Sequence, residues 1–190
     1  KIKIIFYSED KSYQKFSYPL VEFFANRYPN EVYYVSSDFN DKIENLKVNN
    51  LFIGKGLLMV FFFSIVKAKF IFLTITDLGN HSIKKNKNVD KYVYFNHSGS
   101  STFRGYTNSS FDNYDIILCN GKYQADEIRF RENKKNLIKK DLILTGHFYF
   151  DYISKKINLK KNPNEILIAP TWSYKYKNFI NENFILIIDE

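Results

Sequence analysis

At 190 residues the chain has room for one ordinary domain, or one domain and part of a second. Its 45% hydrophobic content supports a packed core and excludes a disordered chain. A net charge of +8 favours an anionic partner, whether nucleic acid, an anionic membrane face or a phosphate-rich substrate, without choosing among them.

The elements alternate along the chain. The opening "KIKIIFYSE" is too short for an apolar targeting core, and residues 2–7 read as a strand. Residues 18–28 form a helix with one apolar stripe, Leu20, Phe24 and Tyr28 at i, i+4 and i+8, with Val21 and Ala25 alongside. "EVYYVSS" and "NLFIG" are the second and third strands, and "KGLLMVFFFSIV" a helix. Leu57 to Leu73 is the most membrane-like stretch. Lys67 and Lys69 interrupt it, and the apolar run falls short of the ~20 residues that span a bilayer, so it reads as a buried helix followed by a buried strand, "KFIFLTIT". "KYVYFN" is the fifth strand and "YDIILCN" the sixth, and its Cys119, the single cysteine, excludes an internal disulfide and reads as a small core hydrophobe. "GKYQADEIRFRE" is a helix with a weak stripe and two i, i+4 pairs, Lys122/Asp126 and Glu127/Arg131. "DLILTG" is the seventh strand and "FYFDYISKK" a short helix. Continuous apolar strands alternating with helices predict an α/β, Rossmann-like parallel sheet covered on both faces. The expected organisation is a first domain over 1–154, a linker over 155–164 and the opening of a second Rossmann-like domain over 165–190, as a piece of a longer protein.

Ligands of open α/β sheets bind beyond the carboxyl ends of the strands. Small, hydroxylated or charged residues recur at those ends: Ser8-Glu9, Ser36-Ser37-Asp38, Gly54-Lys55-Gly56, Thr74-Ile75-Thr76-Asp77, Asn96-His97-Ser98, Asn120-Gly121-Lys122 and Gly146-His147. As a set they read as a binding rim, although turn residues collect at any strand end. Gly54-Lys55-Gly56 and Asn120-Gly121-Lys122 suit phosphate at a helix N-terminus, and each also reads as a plain helix start. The three histidines, His81, His97 and His147, lack metal-ligand spacing. His81 lies in a polar loop, and His147 serves either packing or the site. His97 is the candidate for chemistry, since an imidazole accepts a proton near neutrality, and a structural role is the alternative. With no Gly-x-Ser-x-Gly elbow, a serine-hydrolase reading fails.

"KYVYFNHSGSSTFRGY", "FDNYDIILCNGKYQADEIRFRE", "LILTGHFYFD" and "ILIAPTW" follow in an order and spacing that resemble the CDP-glycerol glycerophosphotransferase family, builders of poly(glycerol phosphate) chains in bacterial teichoic acids and capsules. The opening segments look like its capsule-type branch. The resemblance implies a GT-B architecture, with the acceptor on the first domain and the nucleotide of the donor on the second. It implies His97 as the catalytic base, with Ser98, Gly99, Ser100, Asn120, Gly121, Lys122, Gly146, Asp151, Thr171 and Trp172 at the substrates. The expected partners are CDP-glycerol as donor, with no cofactor or metal beside it, and an anionic polyol-phosphate or glycan acceptor. The expected location is cytoplasmic, peripheral at the inner face of the membrane. A second functional histidine is expected in the C-terminal domain. Two departures stand out: the family's His is followed by Gly-Thr where this chain has Ser98-Gly99, and "GHFYFD" replaces a Gly-Tyr/Asn-Pro-x-x-Asp form while keeping Gly146 and Asp151.

The rival within the class is a GT-B glycosyltransferase using a nucleotide sugar, which fold cannot distinguish. The rival outside it is a noncatalytic basic module for nucleic acid, suggested by charge alone. Lysines concentrated in loops at 84–91 and 134–140, and in the linker, argue against nucleic acid and fit an anionic lipid surface equally well.

Overall fold

The computed structural model describes residues 2–76, 78–79 and 83–156. His81, Thr171 and Trp172, the linker beyond Lys156 and the expected second domain lie outside the described residues. Seven strands form one sheet: β1 (Ile2–Ser8), β2 (Val32–Ser36), β3 (Asn49–Phe52), β4 (Ala68–Leu73), β5 (Val89–Phe95), β6 (Ile116–Cys119) and β7 (Asp141–Leu144). The order is β3-β2-β1-β4-β5-β6-β7, and every pairing is parallel. Five α-helices accompany it: α1 (Gln14–Arg27), α2 (Leu57–Ile65), α3 (Thr102–Gly105), α4 (Lys122–Lys135) and α5 (Phe148–Lys156). The protein is thus α/β and Rossmann-like. Parallel pairing puts every strand's carboxyl end on one edge, which gathers the polar turns of the sequence into a single rim.

The central strands are buried on both faces because their side chains alternate between two cores. Ile5, Tyr7, Ile71, Leu73, Tyr92, Tyr94 and Ile117 belong to one. Ile4, Phe6, Phe72, Val93, Phe95 and Leu118 belong to the other, under Leu20 and Val21 of α1. The aromatic bias does structural work here. Phe6 stacks on Phe72 at 4.5 Å between ring centroids, and Phe24 of α1 tilts onto both at 5.8 and 5.3 Å. Cys119 is fully buried, and burial pushes its thiol up to about 11, so it is an inert core group.

Two expectations fail at the level of packing. The helix expected to be buried, α2, buries only Phe63, while Leu57 is 87% and Leu58 66% exposed. It packs on the sheet through its inner face, where Phe63 meets the Tyr7 ring of β1 at 5.0 Å, and its outer face is left exposed. The Glu127/Arg131 pair also does not form, because both side chains turn to the chain between β5 and β6: Glu127 accepts from Thr102, and Arg131 donates to the carbonyls of Thr102 and Thr107. The Lys122–Asp126 pair is present at 2.6 Å.

At the far end of α4, Glu132 is buried with Lys140. Its carboxylate accepts from the Lys140 amide at 2.9 Å and pairs with Lys140 Nζ at 3.5 Å and Arg129 Nη1 at 2.5 Å. Removing one member strands the others' charge, which costs about 3–5 kcal/mol. Glu132→Ala is therefore expected to lower unfolding stability by about that amount in a urea melt, and a loss below about 1 kcal/mol would show that the ion cluster is dispensable.

Candidate functional site

The rim centres on the turn after β5. Asn96 is buried at the strand end, and its Nδ2 donates to the Leu118 carbonyl at 3.0 Å and to Gln124 Oε1 at 3.1 Å. The chain then runs through His97 to Ser101 without regular structure, and α4 with the turn before it supplies the hydrogen bonds that this segment cannot make internally. Asn120 Nδ2 donates to the Ser98 carbonyl at 2.9 Å. Tyr123 donates its hydroxyl to the Gly99 carbonyl at 2.7 Å. Gln124 Nε2 donates to the Ser100 carbonyl at 3.1 Å. Glu127 accepts from the Ser101 hydroxyl and from the amide and hydroxyl of Thr102, all at 2.6 Å. Gly121 makes room for this, since a Cβ there would meet the Tyr123 ring at 3.1 Å.

His97 stands half-buried at the head of this loop. The Tyr13 ring lies edge-on to it at 5.5 Å and the Phe16 ring at 5.8 Å. Its Nδ1 is buried with no partner among the described residues. Burial, and secondarily the charge of His147, holds its pKa below the ordinary 6.5. Tyr13 comes from the single turn before α1, opened by Asp10, whose carboxylate accepts from the Ser12 amide at 2.8 Å. Burial first, then Glu9, Asp10 and Tyr106, raise the Tyr13 hydroxyl above 10, and burial with Asp10 raises Glu9 against the opposing Lys55. Sequence reading passed over Tyr13, Phe16 and Gln124. The Asp10-x-Ser12 cap was the available signal for the first two.

His147 belongs to this neighbourhood through its charge on His97. It follows Gly146, whose φ of +72° suits glycine, and its carbonyl accepts from the Phe150 and Asp151 amides at the start of α5. Its Nδ1 is also buried without a partner among the described residues, and its ring lies 4.3 Å from that of Phe150.

The structure groups His97, Ser98, Gly99, Ser100 and Asn120, with Gly121 supporting them. It separates others. Lys122 is turned to Asp126, both largely exposed. Asp151 lines an apolar groove of about 630 Å³ between α1 and α5, with Phe24, Phe72, Leu118 and Phe148. In the Asn120-Gly121-Lys122 turn the Asn120 amide is taken up by Gln124 Oε1 at 2.8 Å. In the loop, Ser98 Oγ accepts from the Ser100 amide at 3.2 Å, while the amides of Gly99 and Ser101 have no acceptor among the described residues.

No family model, curated protein or solved structure matches the chain. The site is therefore read from its own chemistry. It offers a half-buried imidazole held below its ordinary pKa, beside a loop held from beneath.

Burial pushes the Glu127 carboxyl up, but the hydrogen bonds from Ser101 and Thr102 outweigh it, so the group sits below its ordinary 4.5. A depressed carboxyl pKa means that this restraint is fully present above about pH 4.5 and is lost as pH falls through the lower folded value. Hydrogen bonds to a charged group contribute about 1.5–3 kcal/mol each. Glu127→Ala at pH 7 is expected to speed exchange of the Thr102 amide, which Glu127 accepts from directly, by roughly tenfold or more, with β5 and β6 unchanged. Unaltered exchange there would remove Glu127 from this role.

Proposed function

We propose that this chain is the acceptor-side part of a GT-B transferase that moves glycerol phosphate from CDP-glycerol to a hydroxyl of an anionic polyol-phosphate or glycan acceptor, releasing CMP. The feature that carries the reading is His97, half-buried just past the carboxyl end of a central parallel strand and held below the ordinary 6.5 by burial. The resemblance of the segments around it to the glycerophosphotransferases supplies the substrates.

In this mechanism Nε2 of His97 takes the proton of the acceptor hydroxyl. The oxygen forms a bond to the phosphorus that carries glycerol, and the bond from that phosphorus to the CMP oxygen breaks. The amides of Gly99 and Ser101 are placed to donate to a phosphate oxygen, and the restraint by α4 means that they need not reorganise during the step. The family resemblance puts the enzyme on the cytoplasmic side, peripheral to the membrane; among the described residues no helix is long and apolar enough to cross one. A nucleic-acid role is disfavoured by the lysines themselves. Lys85, Lys135 and Lys140 are paired with Asp115, Asp112 and Glu132 rather than lined up on an open face.

General-base removal costs about 10²–10⁴ in rate. In the full-length protein His97→Ala is expected to reduce CMP release from CDP-glycerol by about that factor while leaving the circular dichroism spectrum unchanged. Because the base must be neutral, and its pKa lies below 6.5, the acidic limb of kcat/KM is expected to fall below pH 6.5. Wild-type turnover in the variant would refute the role of His97. Turnover with a UDP-sugar but not with CDP-glycerol would replace the donor by a nucleotide sugar.

A further inference from the structure

Three carboxylates stand where β1 and β2 reach the rim: Glu9, Asp10 and Asp38. Two of them are engaged by their own turns. Asp10 accepts from the Ser12 amide at 2.8 Å and the Ser12 hydroxyl at 2.5 Å. Asp38 accepts from the Asn40 amide at 2.9 Å and the Lys11 amide at 3.4 Å. Glu9 is half-buried, yet its carboxylate has no hydrogen bond or ion pair among the described residues. Beside it stands Tyr13, also half-buried, whose hydroxyl likewise has no partner there and on which Glu9 is the foremost charge acting. Lys55, in the turn after β3, is exposed and acts on the charges of Glu9 and Asp38 without an ion pair of its own among the described residues. The rim thus holds an acceptor, a donor and a cation that no local structure uses.

Only β4 separates β1 from β5, so the ends that carry Glu9 and His97 stand about 10 Å apart. The Tyr13 ring lies in this interval, edge-on to His97 at 5.5 Å, with its hydroxyl in the field of Glu9 and Tyr106. The interval leaves room for one three-carbon polyol, about 5 Å long, hydrogen-bonded at both ends. We propose that Glu9 and Tyr13 read the acceptor: while His97 takes the proton of one hydroxyl, the Glu9 carboxylate accepts from the vicinal hydroxyl, Tyr13 donates to that same oxygen, and Lys55 meets the phosphate of the unit. The substrate class is a polyol phosphate that ends in a vicinal diol. A carboxylate accepts from hydroxyls and repels phosphate, so Glu9 also sets the orientation, diol toward the base and phosphate toward Lys55. A neutral glycan end would leave Lys55 without a role. The glycerol of the donor carries the same diol. The acceptor is assigned because the subsite adjoins the base that must reach the attacking hydroxyl. That assignment rests on the transferase reading, whereas recognition of the diol does not.

The test is an NMR titration of the full-length protein, without donor, with glycerol 3-phosphate and with 3-hydroxypropyl phosphate, which lacks the middle hydroxyl. Wild type is expected to bind glycerol 3-phosphate roughly tenfold or more tighter, with shifts at the Tyr13 ring, because a site built around a hydroxyl rejects the analogue without it. Glu9→Ala is expected to erase that preference. Glu9→Gln, of the same size but uncharged, and Tyr13→Phe, which keeps the ring against His97, are each expected to reduce it. Lys55→Gln is expected to weaken both probes alike and to keep the preference. Equal binding of the two probes by wild type, binding of neither, or a preference that survives in Glu9→Ala overturns the proposal. Glycerol 3-phosphate that remains bound beside saturating CDP-glycerol supports the acceptor assignment, and its displacement overturns that assignment in favour of the donor's glycerol. A protein that keeps the preference but releases no CMP from CDP-glycerol retains the diol subsite and loses the transferase reading.

Discussion

The side chain of Gln124 joins the parts on which the rim depends. It is fully buried, and its amide meets Asn96 at the end of β5, the Asn120 amide after β6 and the Ser100 carbonyl in the loop. A buried amide is costly unless each of its groups finds a partner. Here both ends are satisfied by backbone and side chain from neighbouring strand ends. That requirement fixes the distance between the ends of β5 and β6. It also sets the height of the loop that carries His97. Tyr123, next to Gln124, and Glu127, about one helical turn further along α4, extend the same restraint.

With the loop held from below, the chemistry depends on what is left unpaired. His97 and His147 each bury an Nδ1 with no partner among the described residues, and burial first, then the charge of His147, lower the His97 pKa. Both effects act toward the neutral His97 ring. A neutral ring can accept a proton, whereas a permanently charged one cannot. Phe16 links the two sides of this arrangement. It lies against His97 and, at 5.2 Å, against Tyr149 of α5, so the packing of α1 on α5 bears on the pocket around the base.

Much of the fold could be read from residue order alone. The uninterrupted apolar strands and the helices between them sufficed for a parallel sheet, and the polar strand ends marked its working edge. What stayed hidden was set by neighbours in space. The apolar run of α2 resembles a core helix in every local respect, yet only its inner face, with Phe63 against Tyr7 of β1, is covered. The weak stripe of α4 has the opposite cause. Its buried face carries Gln124, Arg131 and Glu132 beside Ile128, because it packs on a loop rich in carbonyls rather than on an apolar surface. For the same reason Glu127 and Arg131, ideally spaced as an ion pair, serve backbone groups instead. Within the site, His97 and its serines were legible as a strand-end motif. Tyr13 and Phe16 were not, since they arrive from a turn some 80 residues earlier in the chain.

The account rests most on the state of His97. The direct measurement is a titration of the two site imidazoles by long-range proton–nitrogen NMR, with and without CDP-glycerol. The account predicts a His97 pKa below 6.5, rising when His147 is replaced by Gln, and a change in its Nε2 resonance on adding the nucleotide donor together with acceptor. A His97 that titrates at or above 6.5, indifferent to His147 and to both substrates, would contradict it.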